Sequence, residues 1–222
     1  MTMPYGFALQ REWRLQRRRA SEALLPLAFF IAVVTVFPIA IGPDPTALRQ
    51  VGPGVIWACA LLACVATVGH AFSVDASEGV LEQWLIGAVP LTGLVACKAI
   101  VHWMWTGLPL MLVAPLLGLM FDLDATSSLL LAATLLLGTP VLSLLGLLGA
   151  ALTLGLRSAS SLVVLLILPL ALPVLVFGCL AVSALESGLS ATPHLSLLGA
   201  LMLLAIVALP PTIAATLRIT MG

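Results

Sequence analysis

Charge is what this chain has least of. Only 18 of its 222 residues are charged, and a single one of these is lysine. Soluble domains carry about a quarter of their residues as charges, so 8% charged against 62% apolar excludes an ordinary water-soluble fold. The lone lysine, Lys98, follows Cys97. Without a Gly-Lys-Ser/Thr there is no P-loop to cradle nucleotide phosphates, so the chain is not its own P-loop ATPase. Cys59, Cys64, Cys97 and Cys179 form neither C-x-x-C nor C-x-x-C-H. A disulfide framework, a zinc site and covalent c-type haem attachment therefore lack support, and the thiols read as small packing groups. No nucleophile and base come together in the pattern, so a non-catalytic chain is expected. A nucleic-acid partner is not expected either.

What the chain does have is length of apolar sequence. Six runs are free of Asp, Glu, Lys and Arg: 23–41, 51–72, 99–121, 126–156, 158–183 and 194–217. Roughly 18 apolar residues suffice for a helix to cross a bilayer, whereas barrel strands alternate polar and apolar over about ten residues. The expected fold class is all-α: one polytopic membrane domain over residues 1–222 with six transmembrane helices. The first run continues through Phe29-Phe30 and Phe37-Pro38 without a small-x-small cleavage site, so it is not read as a removable signal.

An even number of spans places both termini on one side. That side carries Arg11, Arg14, Arg17, Arg18, Arg19, Lys98, Arg157 and Arg218, against Arg49 alone on the other. The positive-inside rule then makes both termini and segment 73–98 cytoplasmic. Residues 7–19 fit a helix in the headgroup layer, or a disordered basic leader. The outer stretch 42–54, "GPDPTALRQVGPG", reads as a loop ordered by its prolines. Pro140 removes the donor that the Leu136 carbonyl would use, so a kink or partial break is expected in the fourth run. Gly146, Gly149 and Ala150 offer a small-residue surface for close helix packing.

Ion-coupled transporters keep ionisable groups within their spans, and here histidine is the only titratable candidate. His70 and His102 fall near the same side, while His194 opens the sixth run on the other, about 30 Å away. The three cannot share one metal. His70, His102 and Trp103 are the residues a haem would have to use. Helix-end anchoring for the histidines and an interfacial aromatic belt for Trp103 and Trp105 are the more economical readings. No directly bound cofactor or metal is expected.

The stretch "DASEGVLEQWLIGAVPLTGLVACK", 75–98, breaks the apolar pattern with Asp75, Glu78, Glu82 and Lys98. Asp75 to Ala88 reads as one helix, with Asp75 capping its first turn, Glu78 at the capping-box position and Pro90 ending it. Val80, Leu81, Trp84, Leu85 and Ala88 then gather on one face, and Asp75, Glu78 and Glu82 on the other. Surface helices that rest on anionic lipid usually present basic residues. The acidic stripe therefore suits a protein partner, with a solvated loop as the alternative.

The pattern D-x-x-E-G-x-L-E-Q in this segment resembles the coupling region of type-2 ABC-exporter membrane subunits. More narrowly, the chain resembles the haem exporter B family of bacterial cytochrome c maturation, CcmB. The resemblance runs through "FPIAIGPDP" (37–45), "GPGVIWACALLA" (52–63), "EGVLEQWLIGAVPL" (78–91), "HWMWTGLPL" (102–110), "LLLGTPVLSLLG" (135–146) and "ALTLGLR" (151–157). It implies an inner-membrane subunit whose short amphipathic coupling helix meets a separate cytosolic ABC ATPase, through Asp75, Glu78, Gly79, Glu82 and Gln83. It further implies a tryptophan-rich haem-handling membrane protein, a small single-span membrane protein, a periplasmic haem chaperone and a second copy of the chain as partners. ATP binds the partner subunit, and haem is handled by the complex; the Trp-Trp-Asp haem motif is absent here. Export or delivery of haem, or release of the haem-loaded chaperone, is the expected role. A non-transporting scaffold and the permease of another ABC exporter are the competing readings.

Overall fold

The computed structural model describes residues 3–68, 71–155 and 159–221, and these form helices and turns with no strand among them. In chain order the helices are α1 (Met3–Arg18), α2 (Ala20–Ile41), α3 (Pro45–Ala66), α4 (Ser73–Ser77), α5 (Val80–Ile86), α6 (Leu91–Met120), α7 (Ala125–Leu152), α8 (Ala159–Glu186) and α9 (Thr192–Met221). Six of them, α2, α3, α6, α7, α8 and α9, are long and apolar enough to cross a membrane. Helices satisfy their own backbone polar groups, which lipid cannot do.

The helix boundaries depart from the apolar runs wherever a polar residue is satisfied locally. The stretch 42–54 is mostly helix rather than loop. Asp44 accepts from the Thr46 N–H at 3.0 Å, and Pro45 takes the first helical position, where its missing N–H is no loss. α3 correspondingly ends at Ala66, not at 72. α6 starts at Leu91 rather than 99, because Lys98 is paired and does not end the helix. At 1.5 Å per residue its 30 residues span about 45 Å, some 15 Å beyond the hydrocarbon thickness of about 30 Å. α7 runs unbroken through Pro140.

Helix α7 is the centre of the bundle, packing against α3, α6, α8 and α9. Trp57 of α3 is fully buried, and its Nε1 donates to Thr134 Oγ1 at 3.3 Å. Its indole lies over Gly138 of α7 and Gly178 of α8, where a Cβ at either position would collide with the ring. Close approach through small residues is how membrane helices gain packing contacts without a hydrophobic driving force. Gly146 is used in the same way, against Val68. The small-residue surface at Gly146, Gly149 and Ala150 is therefore consumed inside the chain rather than left free for another molecule.

α1 is not laid flat on the bundle. Tyr5 meets Gly93, Ala8 packs with Leu94 and Cys97, Glu12 reaches Lys98, and Trp13 lies 5.3 Å from Trp105. Contacts advance together along both chains, so α1 accompanies the first half of α6. Across the bundle, on the side away from the termini, Arg49 donates from Nε and Nη2 to Asp122 Oδ2 at 3.0 and 2.8 Å. Asp124 caps α7 by accepting from the Ser127 N–H at 2.7 Å. All four cysteines are free thiols.

The fit of Trp57 generates a stability prediction. Gly178→Val should destabilise the detergent-solubilised protein by about 1–3 kcal/mol, the usual cost of overpacking. A thermal unfolding scan by size-exclusion fluorescence measures it. Adding Trp57→Leu to Gly178→Val should recover most of the loss.

Candidate functional site

The segment between α3 and α6 is two short helices, not the single helix its periodicity predicts. Gly79 sits between them in the left-handed region, at φ 71° and ψ 11°, a conformation that costs glycine little. The turn separates two environments. Asp75, on α4, does not cap: position 72 is the N-cap, and no side chain caps this helix. Nor does Asp75 belong to the solvent-facing stripe, since it is 2% exposed.

Instead Asp75 is one corner of a closed ring of four ions. Its Oδ2 accepts from Lys98 Nζ at 2.6 Å, and its Oδ1 from Arg11 Nη2 at 2.8 Å. Glu12 completes the ring, with Oε2 accepting from Lys98 Nζ at 3.1 Å and Oε1 from Arg11 Nη1 at 2.6 Å. Glu12, Asp75 and Lys98 are buried, whereas Arg11 is partly open. Two positive and two negative groups cancel formally, which a buried cluster requires because an unpaired buried charge is expensive. Burial alone would raise the Asp75 pKa, but the charge and hydrogen bond of Lys98, followed by those of Arg11, outweigh it and hold the carboxyl below its usual range. For Arg11, burial pushes down and the Asp75 pairing more than restores it, so the net direction is up.

Aromatic rings cover the cations. Lys98 Nζ lies 5.5 Å from the Phe72 ring centroid and 6.0 Å from that of Trp84, and Arg11 Cζ lies 5.9 Å from Trp84. Such distances are within cation–π range. Leu81 is buried, and Trp84 also packs on the small cluster of Ala8, Leu94 and Cys97. The segment is thus tied to α6 and α1 together. Its outer surface is Ser77, Glu78, Glu82, Gln83 and Ile86, all exposed, with Ile86 at 87%. Ala88, placed on the buried face by periodicity, is exposed as well. The structure therefore keeps Glu78, Glu82 and Gln83 together on an outward face, with Gly79 as the turn beneath them. Asp75 it assigns to the ring.

Glu12 was not singled out from sequence. Its signal was an acid inside a basic leader and a solitary lysine beginning an apolar run, an arrangement that calls for a named partner. Spacing alone could not supply the pairing, because Glu12 and Lys98 are 86 positions apart.

Of the haem candidates, His70 lies outside the described residues. His102 is buried well inside α6 rather than at its end, and its Nε2 lies 3.1 Å from Thr67 Oγ1. Trp103 Nε1 donates to Thr139 Oγ1 at 2.9 Å. Among the described residues no three His, Cys, Asp or Glu side chains are placed to hold a metal.

Comparison with known proteins covers the chain almost end to end. Residues 5–220 match the CcmB protein family. The chain is 44% identical to Heme exporter protein B of Pseudomonas aeruginosa over 222 residues, the full length of both. It is 41% identical to Heme exporter protein B of Haemophilus influenzae over 213 residues, 96% of each chain. To Heme exporter protein B of Escherichia coli K12 it is 40% identical over 209 residues, 94% of this chain and 95% of the other.

The ion ring makes its own prediction. Lys98→Met strands two buried carboxylates on one arginine and should cost about 3–5 kcal/mol, as breaking a buried pair does. Replacing Glu12 and Asp75 as well, by Gln and Leu, should return much of it. Thermal unfolding against pH reads the same cluster. A carboxyl with a depressed folded pKa contributes stability that is complete above its unfolded value, about 3.9 for Asp. That contribution is lost as pH falls through the folded value. The wild type should therefore lose stability below about pH 4, and the Asp75→Leu background should lose less of it.

Proposed function

The chain belongs to the CcmB protein family, and we propose that it is the membrane subunit of an ABC-type haem exporter in bacterial cytochrome c maturation. The observation that supports this role best is the outward face of Glu78, Glu82, Gln83 and Ile86, carried on a segment ionically bolted to α6. Such a face can receive a push and pass it on. A cytosolic ATPase subunit that docks there acts on α5, and Leu81 and Trp84 transmit the displacement inward. Asp75 and Lys98 convey it to α6, whose first residues extend beyond the bilayer core. Gly79 supplies the turn about which α4 and α5 can change their angle.

ATP hydrolysis belongs to that partner, because this chain has no phosphate-binding lysine motif. Two membrane halves and two ATPase subunits make the working unit. A haem-handling membrane protein, a small single-span protein and a periplasmic haem chaperone complete the assembly. The subunit's part is mechanical: it exports or delivers haem, or releases the loaded chaperone, and holds no resident cofactor of its own. Both termini and the α4–α5 segment face the cytoplasm of a bacterial inner membrane, following the arginine distribution.

Docking is tested by reversing Glu78 and Glu82 to Lys together. Each exposed ion pair is worth only about 0.2–1 kcal/mol, but like charges facing each other across an interface cost more. Membrane levels should stay normal while ATPase recovery on pull-down and c-type cytochrome maturation both fall. Glu186→Lys, on the opposite side, should leave recovery intact. Unchanged recovery in the double reversal would remove the docking face.

Topology is tested by single cysteines at Thr46, Ile86 and Ser187 in a chain lacking its native thiols. A membrane-impermeant maleimide should label positions 46 and 187 in spheroplasts, and position 86 only after lysis.

A further inference from the structure

Helix α1 carries arginine at positions 11, 14, 17 and 18 and a single acid, Glu12. The ion ring uses Arg11 and Glu12, and Glu12 is turned inward and buried. Arg14, Arg17 and Arg18 are exposed. No described residue gives any of these three a side-chain ion pair or hydrogen bond. Besides them the exposed face of α1 holds Gly6, Phe7, Gln10 and Trp13, so it carries no acid at all. Gln10, Arg14 and Arg18 are four residues apart and therefore stand in one row along the helix. A cleft of about 200 Å³ follows that row, lined by Phe7, Gln10, Arg11, Arg14, Leu15 and Arg18.

A contact places the cleft at the membrane surface. Trp13 lies 5.3 Å from Trp105, a residue of the charge-free part of the α6 span. Tryptophan gathers at the boundary between lipid and water. Arg14 follows Trp13 directly, and Arg18 stands one turn further along the same helix, about 6 Å. An arginine at that level is costly without a counter-charge. The chain supplies none on this face: Glu12 and Asp75 are held in the ring, and Glu78 acts on Arg11. The matching negative charge must come from outside the chain.

We propose that the Gln10–Arg14–Arg18 row of α1 binds the headgroup of an anionic phospholipid in the leaflet on the side of the termini. Arg14 and Arg18 take the phosphate oxygens, for which the planar guanidinium fork is shaped. The Gln10 amide has N–H and C=O groups for the headgroup hydroxyls. A zwitterionic headgroup would bring an ammonium to a face that has no acid to receive it. The pairing also gives α1 an attachment to lipid beside its attachment to α6.

The test is native mass spectrometry of the full chain in micelles supplied with equal phosphatidylglycerol and phosphatidylethanolamine of the same acyl chains. Phosphatidylglycerol should be retained about tenfold over phosphatidylethanolamine, and Arg14→Gln should reduce that preference about fivefold, the weight of one arginine at an anionic lipid surface. Arg14→Gln with Arg18→Gln should bring the ratio near one. Both side chains are exposed, so their replacement leaves the packing alone. Arg218→Gln removes the same charge from the exposed last turn of α9 and should leave the ratio as it is. Equal retention of the two lipids by the wild type, a preference that survives the double variant, or an equal loss in Arg218→Gln would overturn the site. Displacement of the lipid by soluble glycerol phosphate at equal concentration would overturn its membrane source. Neither arginine lies on the outward α5 face, so ATPase recovery reports on docking separately.

Discussion

Everything on the terminal side of this protein depends on four ions sharing one buried ring. Each carboxylate of Glu12 and Asp75 bridges both Arg11 and Lys98, and the cluster joins three stretches of chain that are far apart in sequence. Apolar packing alone would let α1, the α4–α5 segment and α6 slide against one another, because lipid-facing and core-facing side chains are chemically alike. Charged groups remove that freedom. They have a single arrangement in which every one is satisfied, and any shift of one helix leaves a charge exposed to a low-dielectric surrounding. The ring is thus better understood as a register device than as a source of net stability.

The opposite side is organised by different means. There the Arg49–Asp122 pair is exposed and holds little energy, and order comes from short loops with capped helix starts at Asp44 and Asp124. Between the two sides the bundle is built around α7, with Trp57 filling the space that Gly138 and Gly178 leave open. The bundle thus has a tightly packed centre, an ionically locked rim on the side of the termini and a more loosely tied rim opposite.

Sequence reasoning read the membrane helices well, because an uncharged run of the right length has few alternatives in lipid. It erred where polar residues are satisfied by partners remote in sequence. Lys98 looked like the end of a loop, yet it is a helix residue held by Glu12 and Asp75. Asp75 looked like a cap for the same reason: its proximity to a helix start was visible and its ion pairs were not. Pro45 and Asp44 were legible start signals, but the cluster of turn formers around them suggested a loop. Gly79 stands inside the family motif, and its positive φ is the physical reason for a glycine there. Glu78 and Glu82 are exposed as the short-range helical pattern placed them, whereas Gln83 entered only through the family resemblance.

The burial of Lys98 has a chemical consequence of its own. It is the only side-chain amine in the chain, and in the resting arrangement it is capped by two carboxylates and two aromatic rings. Acylating reagents that modify surface lysines on most proteins find no exposed lysine on this one. An amine-selective acyl transfer at position 98 would therefore be a silent reporter that speaks only when the ion ring opens, and its rate would time that opening without any engineered label.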